Sequence, residues 1–322
     1  MKWGILGCAG IAVKSVIPAI MSIKENKLIA VASRSQQKAR KVADLFGCIG
    51  ISDYNQLLER NDIDAIYIPL PTGMHFEWVM KALSHNKNVL VEKSAATNFE
   101  EAKSMVDLAR KKGLVLVENF QFQHHSQHQY VAQLIMEDLI GDIRCFRSSF
   151  GFPPFSLDNN IRYDKKLGGG ALLDAGAYVL KATTFMLGEG FEISAAHLSM
   201  NKDLQIDWYG AAFLTNKAND KMSQVAFGFD NFYQCNYEIW GSKGKITSTR
   251  AFTANSDFSP TIIIEKQGRK DEILLPMDDH FKKMLEYFNK IVASKKNEHE
   301  LKAILYQSNL IQQIRDITAK SL

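Results

Sequence analysis

Short apolar runs alternate with longer amphipathic segments through the first 120 residues. The apolar runs are KWGILG, LIAVAS, AIYIPL, NVLVEK and LVLVEN, and segments such as QQKARKVADLF and HFEWVMKALSHN lie between them. Runs that are apolar throughout are typical of strands buried on both faces, and strands separated by helices of this length indicate βαβ units. We therefore predict a doubly wound α/β domain with a parallel sheet over residues 1–120.

The pattern changes after residue 120. A helix is predicted near HHSQHQYVAQLIME, and strand-like stretches follow it, among them IRCFRSSFGF, EISAAHLSM, SQVAFGF, QCNYEIWG and TIIIEKQ. Alternating polarity and turn sequences such as NKAND and GSKGK favour a mainly antiparallel sheet. A helix near GALLDAGAYVLKATTFMLG and two helices at the end of the sequence complete an α+β domain over 121–322, and a cleft between the two domains is the expected site.

Composition narrows the possible functions. A length of 322 residues fits two domains of roughly 150 residues each. The 39 Lys+Arg against 35 Asp+Glu residues give a formal charge of +4 with no basic stripe, so we expect no nucleic-acid partner. The four cysteines lie far apart along the sequence, which is typical of a reducing cytoplasm. No apolar run approaches the roughly 20 residues that span a bilayer, so we expect no membrane role.

The segment GILGCAGIA follows the first predicted strand. Gly7, Ala9 and Ala12 occupy the three small positions of the dinucleotide fingerprint GxGxxG/A. Gly7 would allow the tight turn, Ala9 would let the backbone approach a pyrophosphate, and Ala12 would let the helix pack on the strand. The second position departs from glycine, and the neighbouring Gly10 could compensate. Helix N-terminal amides at this turn would bind the phosphates.

The second predicted strand ends in Ser33, Arg34 and Ser35, where an NAD site usually has Asp or Glu. A hydroxyl followed by a guanidinium suits a 2′-phosphate, because Arg offers a planar fork of donors. Lys38 lies one turn further on. We therefore predict NADP as the cofactor, with NAD possible. The alternative is that Arg34 only stacks on the adenine, which fits either cofactor.

Two further strand ends carry candidate groups. Pro69 and Pro71 predict an extended turn, after which Thr72 could cap a helix that has His75 in its first turn. Those residues could also serve loop and cap roles alone. Lys93 follows the apolar run NVLVE, at the sheet edge where open α/β sheets bind ligands. A partly desolvated lysine there could move protons, or it could be a surface residue paired with the preceding glutamate.

The segment LGGGALLDAGAYVLK carries a second candidate set. The glycines 168–170 let the backbone approach another group closely, and Asp174 and Tyr178 are spaced i, i+4 on one helix face. A phenol titrates near pH 10, so it needs a neighbouring cation to exchange protons at pH 7. Arg162 could act as an anion or hydroxyl clamp. The alternative is a helix start with no chemical role.

A histidine cluster, HHSQH, follows the first domain. His124 and His128 form an i, i+4 pair that could bind zinc, but no third ligand type is placed nearby. We therefore predict that these side chains line a polar pocket and that the protein has no metal site.

The ordered set GCAGIA, PLPTGMH, VEKS, NFQFQHHSQHQ, IRYDKKLGGGALLDAGAY and EIWGSKGKI resembles the Gfo/Idh/MocA oxidoreductase family over nearly the whole sequence. The resemblance implies a Rossmann domain followed by a domain with an open, mainly antiparallel sheet. The outer face of that sheet would pair subunits in a homodimer or homotetramer.

The resemblance also implies residue roles. The catalytic lysine of the family's Glu-Lys-Pro motif falls on Lys93, the Asp of its GGGxxxDxGxH segment on Asp174, and the His or Tyr four residues later on Tyr178. Two positions depart from the family pattern: Ser94 replaces the proline, which is often cis, and Gln123 stands where arginine is frequent. These departures bear on the expected substrate contacts and the local backbone rather than on the cofactor site.

The tyrosine at position 178 resembles the branch of the family that contains dihydrodiol dehydrogenases, sugar dehydrogenases and nucleotide-sugar ketoreductases. Two stretches resemble the corresponding sequences of the ketoreductases in particular: NFQFQHHSQH and FPPFSLDNNIRYDKKLGGG. The resemblance thus implies a cytoplasmic enzyme that transfers a hydride between NADP or NAD and a carbonyl or hydroxyl carbon of a sugar or nucleotide-linked keto sugar. Two alternatives stay open: a non-catalytic NAD(P)-binding regulator, and an NAD-dependent glycoside hydrolase that works by transient oxidation.

The candidate contacts form two sets. The candidate cofactor contacts are Gly7, Cys8, Ala9, Gly10, Ile11, Ala12, Ser33, Arg34, Ser35, Lys38, Pro69, Leu70, Thr72, His75, Glu92, Lys93, Asn119 and Arg162. The candidate substrate contacts are Lys93, Gln123, His125, Arg162, Asp174 and Tyr178, with Lys93, Tyr178 and Asp174 as the catalytic residues.

Overall fold

A computed structural model describes residues 1–158 and 160–320 of the chain. Asn159, which falls in the FPPFSLDNNIRYDKKLGGG stretch, and the last two residues lie outside the described residues. The chain divides into two compact units, Met1–Asn119 with Phe281–Ser308, and Phe120–His280 with the chain from Asn309 on. The predicted domains, 1–120 and 121–322, were continuous and did not include the return of 281–308 to the first unit.

The first unit is built on a parallel sheet with the strand order β3-β2-β1-β4-β5-β6. Its strands are β1 (Lys2–Leu6), β2 (Lys27–Ala32), β3 (Ile49–Ile51), β4 (Ala65–Ile68), β5 (Asn88–Glu92) and β6 (Leu116–Asn119). The connecting helices are α1 (Ile17–Ser22, preceded by a π-helical turn at Ala12–Val16), α2 (Gln36–Phe46), α3 (Tyr54–Leu58), α4 (Thr72–Ser84) and α5 (Phe99–Lys112). Sequence periodicity predicted these elements except β3, which is too short to show a period.

Two hydrophobic clusters cover the two faces of this sheet. Along β4, Ile66 and Ile68 enter one cluster, whereas Ala65 and Tyr67 enter the other. Alternate residues are therefore buried on opposite faces, which is why the strand is apolar throughout. Phe288 joins the second cluster and Leu301 joins the first, so the segment 281–308 covers part of each face.

Local signals set the ends of the helices in the first unit. The Asn98 side chain accepts the Glu101 N–H at 3.0 Å and so caps α5, as the sequence predicts. Gly113 ends the same helix with φ of 63°. That left-handed conformation favours glycine, which has no Cβ.

The second unit contains a mixed sheet in the order β14-β13-β12-β11-β7-β10-β9-β8. Its strands are β7 (Ile143–Phe152), β8 (Glu192–Asn201), β9 (Ile206–Asn216), β10 (Lys221–Phe229), β11 (Gln234–Gly241), β12 (Gly244–Ser248), β13 (Thr261–Lys266) and β14 (Arg269–Leu274). Among the described strands of this sheet, β7 and β10 form the one parallel pair, so the predicted mainly antiparallel sheet is confirmed. The strand β14 was not predicted, because its sequence RKDEIL is mostly charged and shows no apolar run.

The remaining helices agree with the predicted ones to within a few residues. They are α6 (Ser126–Met136), α7 (Ala177–Leu187), α8 (His280–Ser294) and α9 (Glu298–Ala319). A π-helical turn, Leu172–Gly176, precedes α7 directly. Within the part of the chain that the structure describes, no helix is both long enough and apolar enough to cross a membrane.

Candidate active site

The turn after β1 has the geometry that the fingerprint requires. Gly7 has φ of +124°, and a Cβ at this position would lie 2.8 Å from Cδ2 of Leu70. Its N–H donates to the carbonyl of Ala32 at 3.0 Å, which ties the turn to the neighbouring strand. A residue larger than glycine would be strained in its backbone and would collide with the β4–α4 turn.

The next residues leave an open surface at the start of a helix. Nothing lies within 4 Å of a Cβ added at Gly10, Ile11 is 38% exposed, and Ala12 is fully buried against the strand. The Cys8 thiol is buried, 3.8 Å from the Ala32 carbonyl, so Cys8 can face a ligand only through its backbone. The first N–H groups of a helix lack intrahelical acceptors. With the turn at the switch point of the strand order, these groups fit a pyrophosphate.

The end of β2 presents hydroxyl and cationic groups. Ser33 accepts the Ser35 N–H at 3.3 Å, and Ser35 accepts the Lys38 N–H at 3.3 Å and thereby caps α2. Arg34 is exposed, and it lies beside Tyr54, where it opposes the burial that raises the pKa of that phenol. This donor set fits a ribose phosphate, as the sequence predicts.

A hydrogen-bonded carboxylate lies at the ends of β5 and β6. One oxygen of Glu92 accepts from the Tyr67 hydroxyl and from the Asn119 amide, both at 2.6 Å. Burial raises the pKa of Glu92, although these two hydrogen bonds and the nearby Lys93 act in the opposite direction. Asn119 is fully buried, and its Oδ1 has no partner among the described residues. A buried amide oxygen of this kind fits a hydrogen-bond donor from a bound group.

Lys93 follows β5 directly and is half-buried. The peptide bond between Lys93 and Ser94 is cis. The position where this sequence lacks the family's proline therefore has the cis geometry that is frequent in the family.

In the second unit, Tyr178 lies among aromatic rings. It is 7% exposed, and the ring centroids of Phe120, Phe122, Phe150 and Phe252 lie 5.1 to 5.9 Å from its own. These contacts hold the phenol ring in one orientation.

Gln121 was not among the predicted site residues. Its Nε2 donates to the Tyr178 hydroxyl over a long 3.4 Å contact. The side chain is 8% exposed, and its Oε1 has no partner among the described residues. The sequence could have indicated Gln121, because it lies two residues after Asn119, and Asn119 ends a strand that was expected to contribute to the site.

Arg162 and Asp174 form an ion pair, with 2.7 Å between Nε and Oδ2. The Arg162 guanidinium also lies 4.9 Å from the ring centroid of Phe155. The sequence analysis named Asp174 as a catalytic residue and Arg162 as a clamp, without pairing the two. The structure pairs Asp174 with Arg162. It also places Asp174 in the π-helical turn Leu172–Gly176 rather than in the regular α-helix that was assumed.

Comparisons with known proteins identify the family to which this chain belongs. Residues 1–120 match the family described as "Oxidoreductase family, NAD-binding Rossmann fold", and residues 128–247 match the "GFO/IDH/MocA C-terminal domain". The chain belongs to the Gfo/Idh/MocA oxidoreductase family. Both the predicted family and the predicted Rossmann plus α+β architecture are thereby confirmed.

This Gfo/Idh/MocA protein is similar over most of its length to several named reductases. It is 40% identical over 288 residues to a dTDP-3,4-didehydro-2,6-dideoxy-alpha-D-glucose 3-reductase of Saccharopolyspora spinosa, covering 89% of this chain and 86% of the relative. It is 37% identical over 316 residues to an enzyme of the same name from Actinomadura kijaniata, covering 98% and 95%. It also superposes with a TM-score of 0.95 and 36% identity on KijD10, a 3-ketoreductase from Actinomadura kijaniata solved with NADP and TDP-benzene, covering 99% and 98%.

The structure revises the cap role predicted for Thr72 and the cofactor contact predicted for His75. Thr72 is the first residue of α4 and follows Pro71, and no side chain caps this helix start. Because the backbone of Thr72 is already helical, its hydroxyl does not serve as the predicted cap. His75 is fully buried, with its ring nitrogens 2.8 Å from the Ser94 carbonyl and 2.7 Å from the Leu70 carbonyl. His75 therefore connects two strand-end turns rather than contacting a cofactor.

The predicted substrate contact of His125 needs the same revision. His125 is fully buried, and its Nδ1 accepts the Gln127 N–H at 3.1 Å, so the imidazole caps α6. Gln123 lies half-buried in the 3₁₀ turn Gln121–His124 and stays a candidate.

His125 belongs to a buried histidine group in the second unit. Its ring lies 6.5 Å from that of His128 and 5.8 Å from that of His280. Nδ1 of His128 lies 2.9 Å from the Tyr237 hydroxyl, and its Nε2 lies 3.1 Å from the Ala251 carbonyl, a pattern that suits a neutral ring. Among the described residues, no group of three or more His, Cys, Asp or Glu side chains could hold a metal ion.

We expect acid to destabilise the fold through this group. Burial, reinforced by the nearby His125, lowers the pKa of both His128 and His280 to about 3, whereas a free histidine titrates at 6.5. Between these pH values the unfolded chain binds protons that the folded chain excludes. The contribution of these two histidines to the free energy of unfolding is therefore fully present above pH 6.5 and is lost as the pH falls from there towards 3. Each histidine should remove about 2 kcal/mol of the free energy of unfolding between pH 7 and 5.

Urea unfolding of the wild type and of His280→Leu at pH 7 and pH 5 measures this loss. We expect the variant to lose about 2 kcal/mol less than the wild type on acidification. His85→Gln, at the exposed C-terminal end of α4, should behave as the wild type does. An equal loss in His280→Leu and in the wild type would show that this histidine is not excluded from protonation.

Proposed function

We propose that this Gfo/Idh/MocA protein is an NADP-dependent ketoreductase that reduces the carbonyl of a nucleotide-linked keto sugar. The observation that carries the proposal is the second-strand end, where Ser33, Arg34 and Ser35 replace the usual carboxylate within a Rossmann fold. The relatives support the substrate class, because those of 40% and 37% identity are named as reductases of a dTDP-linked keto sugar. NAD remains the alternative cofactor.

The cofactor would be held by residues of the first unit. The backbone from Gly7 to Ile11 would bind the pyrophosphate, and Arg34 with its flanking serines would bind the 2′-phosphate. The orphan Oδ1 of Asn119 would accept a hydrogen bond from the bound dinucleotide. When bound, NADPH supplies a hydride to the carbonyl carbon.

Two side chains would act on the carbonyl oxygen of the substrate. As the carbonyl carbon is reduced, negative charge develops on its oxygen, and a cationic Lys93 amine would stabilise that charge. The Tyr178 hydroxyl would donate the proton that completes the alcohol, and solvent would then reprotonate the phenolate. The Arg162–Asp174 ion pair would orient the substrate. KijD10 has been crystallised with a tyrosine changed to phenylalanine and with a lysine changed to alanine or glutamate, the same two residue types.

A substrate screen tests the proposal. Oxidation of NADPH and of NADH is followed at 340 nm with free keto sugars and with dTDP-linked 3-keto sugars. We expect turnover with NADPH and the nucleotide-linked sugar, and much weaker turnover with the free sugar or with NADH. An absence of turnover with every keto sugar would contradict the proposal.

We also propose a cytoplasmic homodimer formed through the outer face of the second unit's sheet. Ser149, Ala226, Ala211 and His197 lie side by side on four adjacent strands, and each is at least partly exposed. Such a row of mostly small side chains lets two copies of the same face approach closely around a twofold axis. A homotetramer is the alternative.

Light scattering tests the dimer. The wild type should have the mass of two chains, and Ala211→Arg, which places a charge in the middle of the row, should have the mass of one chain at the same concentration. Ala218→Arg, in the exposed β9–β10 turn, should leave the mass unchanged. A mass of two chains for Ala211→Arg would place the interface elsewhere.

A further inference from the structure

The helix that carries Asp174 and Tyr178 begins without a capping side chain of its own. Ala171 occupies the position before the π-helical turn, and no side chain from that position accepts a hydrogen bond. The first N–H groups of this buried helix therefore need an acceptor from elsewhere, because an unpaired buried N–H is costly.

Asp207 on β9 supplies that acceptor. Its Oδ2 accepts the Leu172 N–H at 2.5 Å, and its carboxylate also accepts the Ala171 N–H. A negative charge at a helix N-terminus is favourable in addition to the hydrogen bonds. Burial raises the pKa of Asp207, while the two N–H groups and Arg315 act in the opposite direction.

A β-bulge turns Asp207 towards this helix. In the pairing of β8 with β9, Ser199 lies opposite Tyr209 but the next residue, Met200, lies opposite Asp207. Trp208 is thus the additional residue on β9. Without the bulge, Asp207 would project on the same side as Tyr209 and Ala211, so the bulge moves its carboxylate to the helix side.

The glycines that precede the helix fit around this carboxylate. A Cβ at Gly170 would lie 2.4 Å from Oδ1 of Asp207, and a Cβ at Gly169 would lie 2.5 Å from the Arg162 carbonyl oxygen. The Gly170 N–H donates to that same Arg162 carbonyl at 2.9 Å. One turn therefore connects Asp207, the start of the helix and the backbone of the residue that pairs with Asp174.

We propose that Asp207 is a positioning residue that fixes the helix start and, through it, the places of Tyr178, Asp174 and Arg162. The proposal rests on the proposed function, because it assumes that Tyr178 and the ion pair act in the reduction. Asp207 does not itself touch the reacting atoms in this account. A shift of about 1 Å in such a helix is enough to cost a large factor in rate.

A double-mutant cycle tests this role with NADPH and a dTDP-linked 3-keto sugar. Asp207→Asn keeps the shape but places an amide group against one of the two N–H donors. We expect kcat to fall about 10- to 50-fold, with the KM for NADPH within about 2-fold of the wild type. In a Tyr178→Phe background, Asp207→Asn should lower kcat less than it does in the wild type, by about 3-fold, because the tyrosine is absent and only the Arg162–Asp174 pair is still positioned by Asp207.

Controls separate the possible outcomes. Asp203→Asn, an exposed aspartate in the turn before β9, should leave both constants unchanged. Thermal melting and NADPH binding establish that each variant is folded. If Asp207→Asn does not fold, the cycle is run with Asp207→Glu, which keeps the charge but displaces the carboxylate, and the same loss is expected.

The outcomes distinguish this proposal from the proposed function. Independent losses in the two backgrounds, or an unchanged kcat in Asp207→Asn, would overturn the positioning role. An unchanged kcat in Tyr178→Phe would instead overturn the proposed role of the tyrosine.

Discussion

Replacing Lys93 with methionine should lower kcat by about 100-fold or more while NADPH binding persists. Methionine retains an unbranched apolar side chain of similar length but lacks the amine, so the charge that develops on the carbonyl oxygen loses its cation. General acid–base groups of this kind contribute roughly 10²- to 10⁴-fold. The proposed phosphate-binding residues lie at the ends of β1 and β2, which β4 separates from the strand that precedes Lys93, so the cofactor should still bind.

Steady-state kinetics and NADPH fluorescence titration measure the two effects. Lys111→Met, an exposed lysine on α5, provides the matched control and should leave both unchanged. A Lys93→Met protein with wild-type turnover would remove Lys93 from the mechanism. A protein that no longer binds NADPH would show that the lysine holds the cofactor instead.

Replacing Arg34 with glutamine should raise the KM for NADPH about 50-fold and leave the KM for NADH nearly unchanged. Arg34 is the exposed cation at the end of β2, and a guanidinium–phosphate interaction comprises strong charge-assisted hydrogen bonds. NADH lacks the phosphate, so it loses nothing when the cation is removed.

Arg40→Gln is the control, because Arg40 is exposed on α2, the helix that follows Arg34, and pairs with Asp44. An equal rise of the two KM values in Arg34→Gln would support the stacking alternative, in which the guanidinium covers the adenine of either cofactor. No rise in either value would exclude Arg34 from the cofactor site.

The first unit and its turns could be predicted because their signals are local. The buried strands are apolar on both faces, so β1, β2, β4, β5 and β6 are visible as continuous runs. Gly7 follows β1 directly and Arg34 lies two residues after β2, and these places in the fold are set by a few neighbouring residues. The structure confirms the turn that Gly7 requires.

The residues that were missed or misassigned depend on contacts far along the chain. Asp207 looks like an ordinary strand residue, because its role depends on a bulge and on a helix start 35 residues earlier. Whether His125 contacts a substrate or caps α6 depends on burial, which its sequence neighbours do not reveal. Thr72 lies one residue after the cap position of α4, and hydrophobic periodicity does not define a helix start to within a single residue.

The central claim is that this protein transfers a hydride from NADPH to the carbonyl of a nucleotide-linked keto sugar. The most direct measurement uses NADPH deuterated at the transferable position, with mass spectrometry of the sugar product. We expect one deuterium on the new carbinol carbon and one equivalent of oxidised cofactor. A bound dinucleotide with no oxidation by any such sugar would contradict the claim and indicate a regulator, and cleavage of a glycoside with no net change in cofactor would indicate a hydrolase.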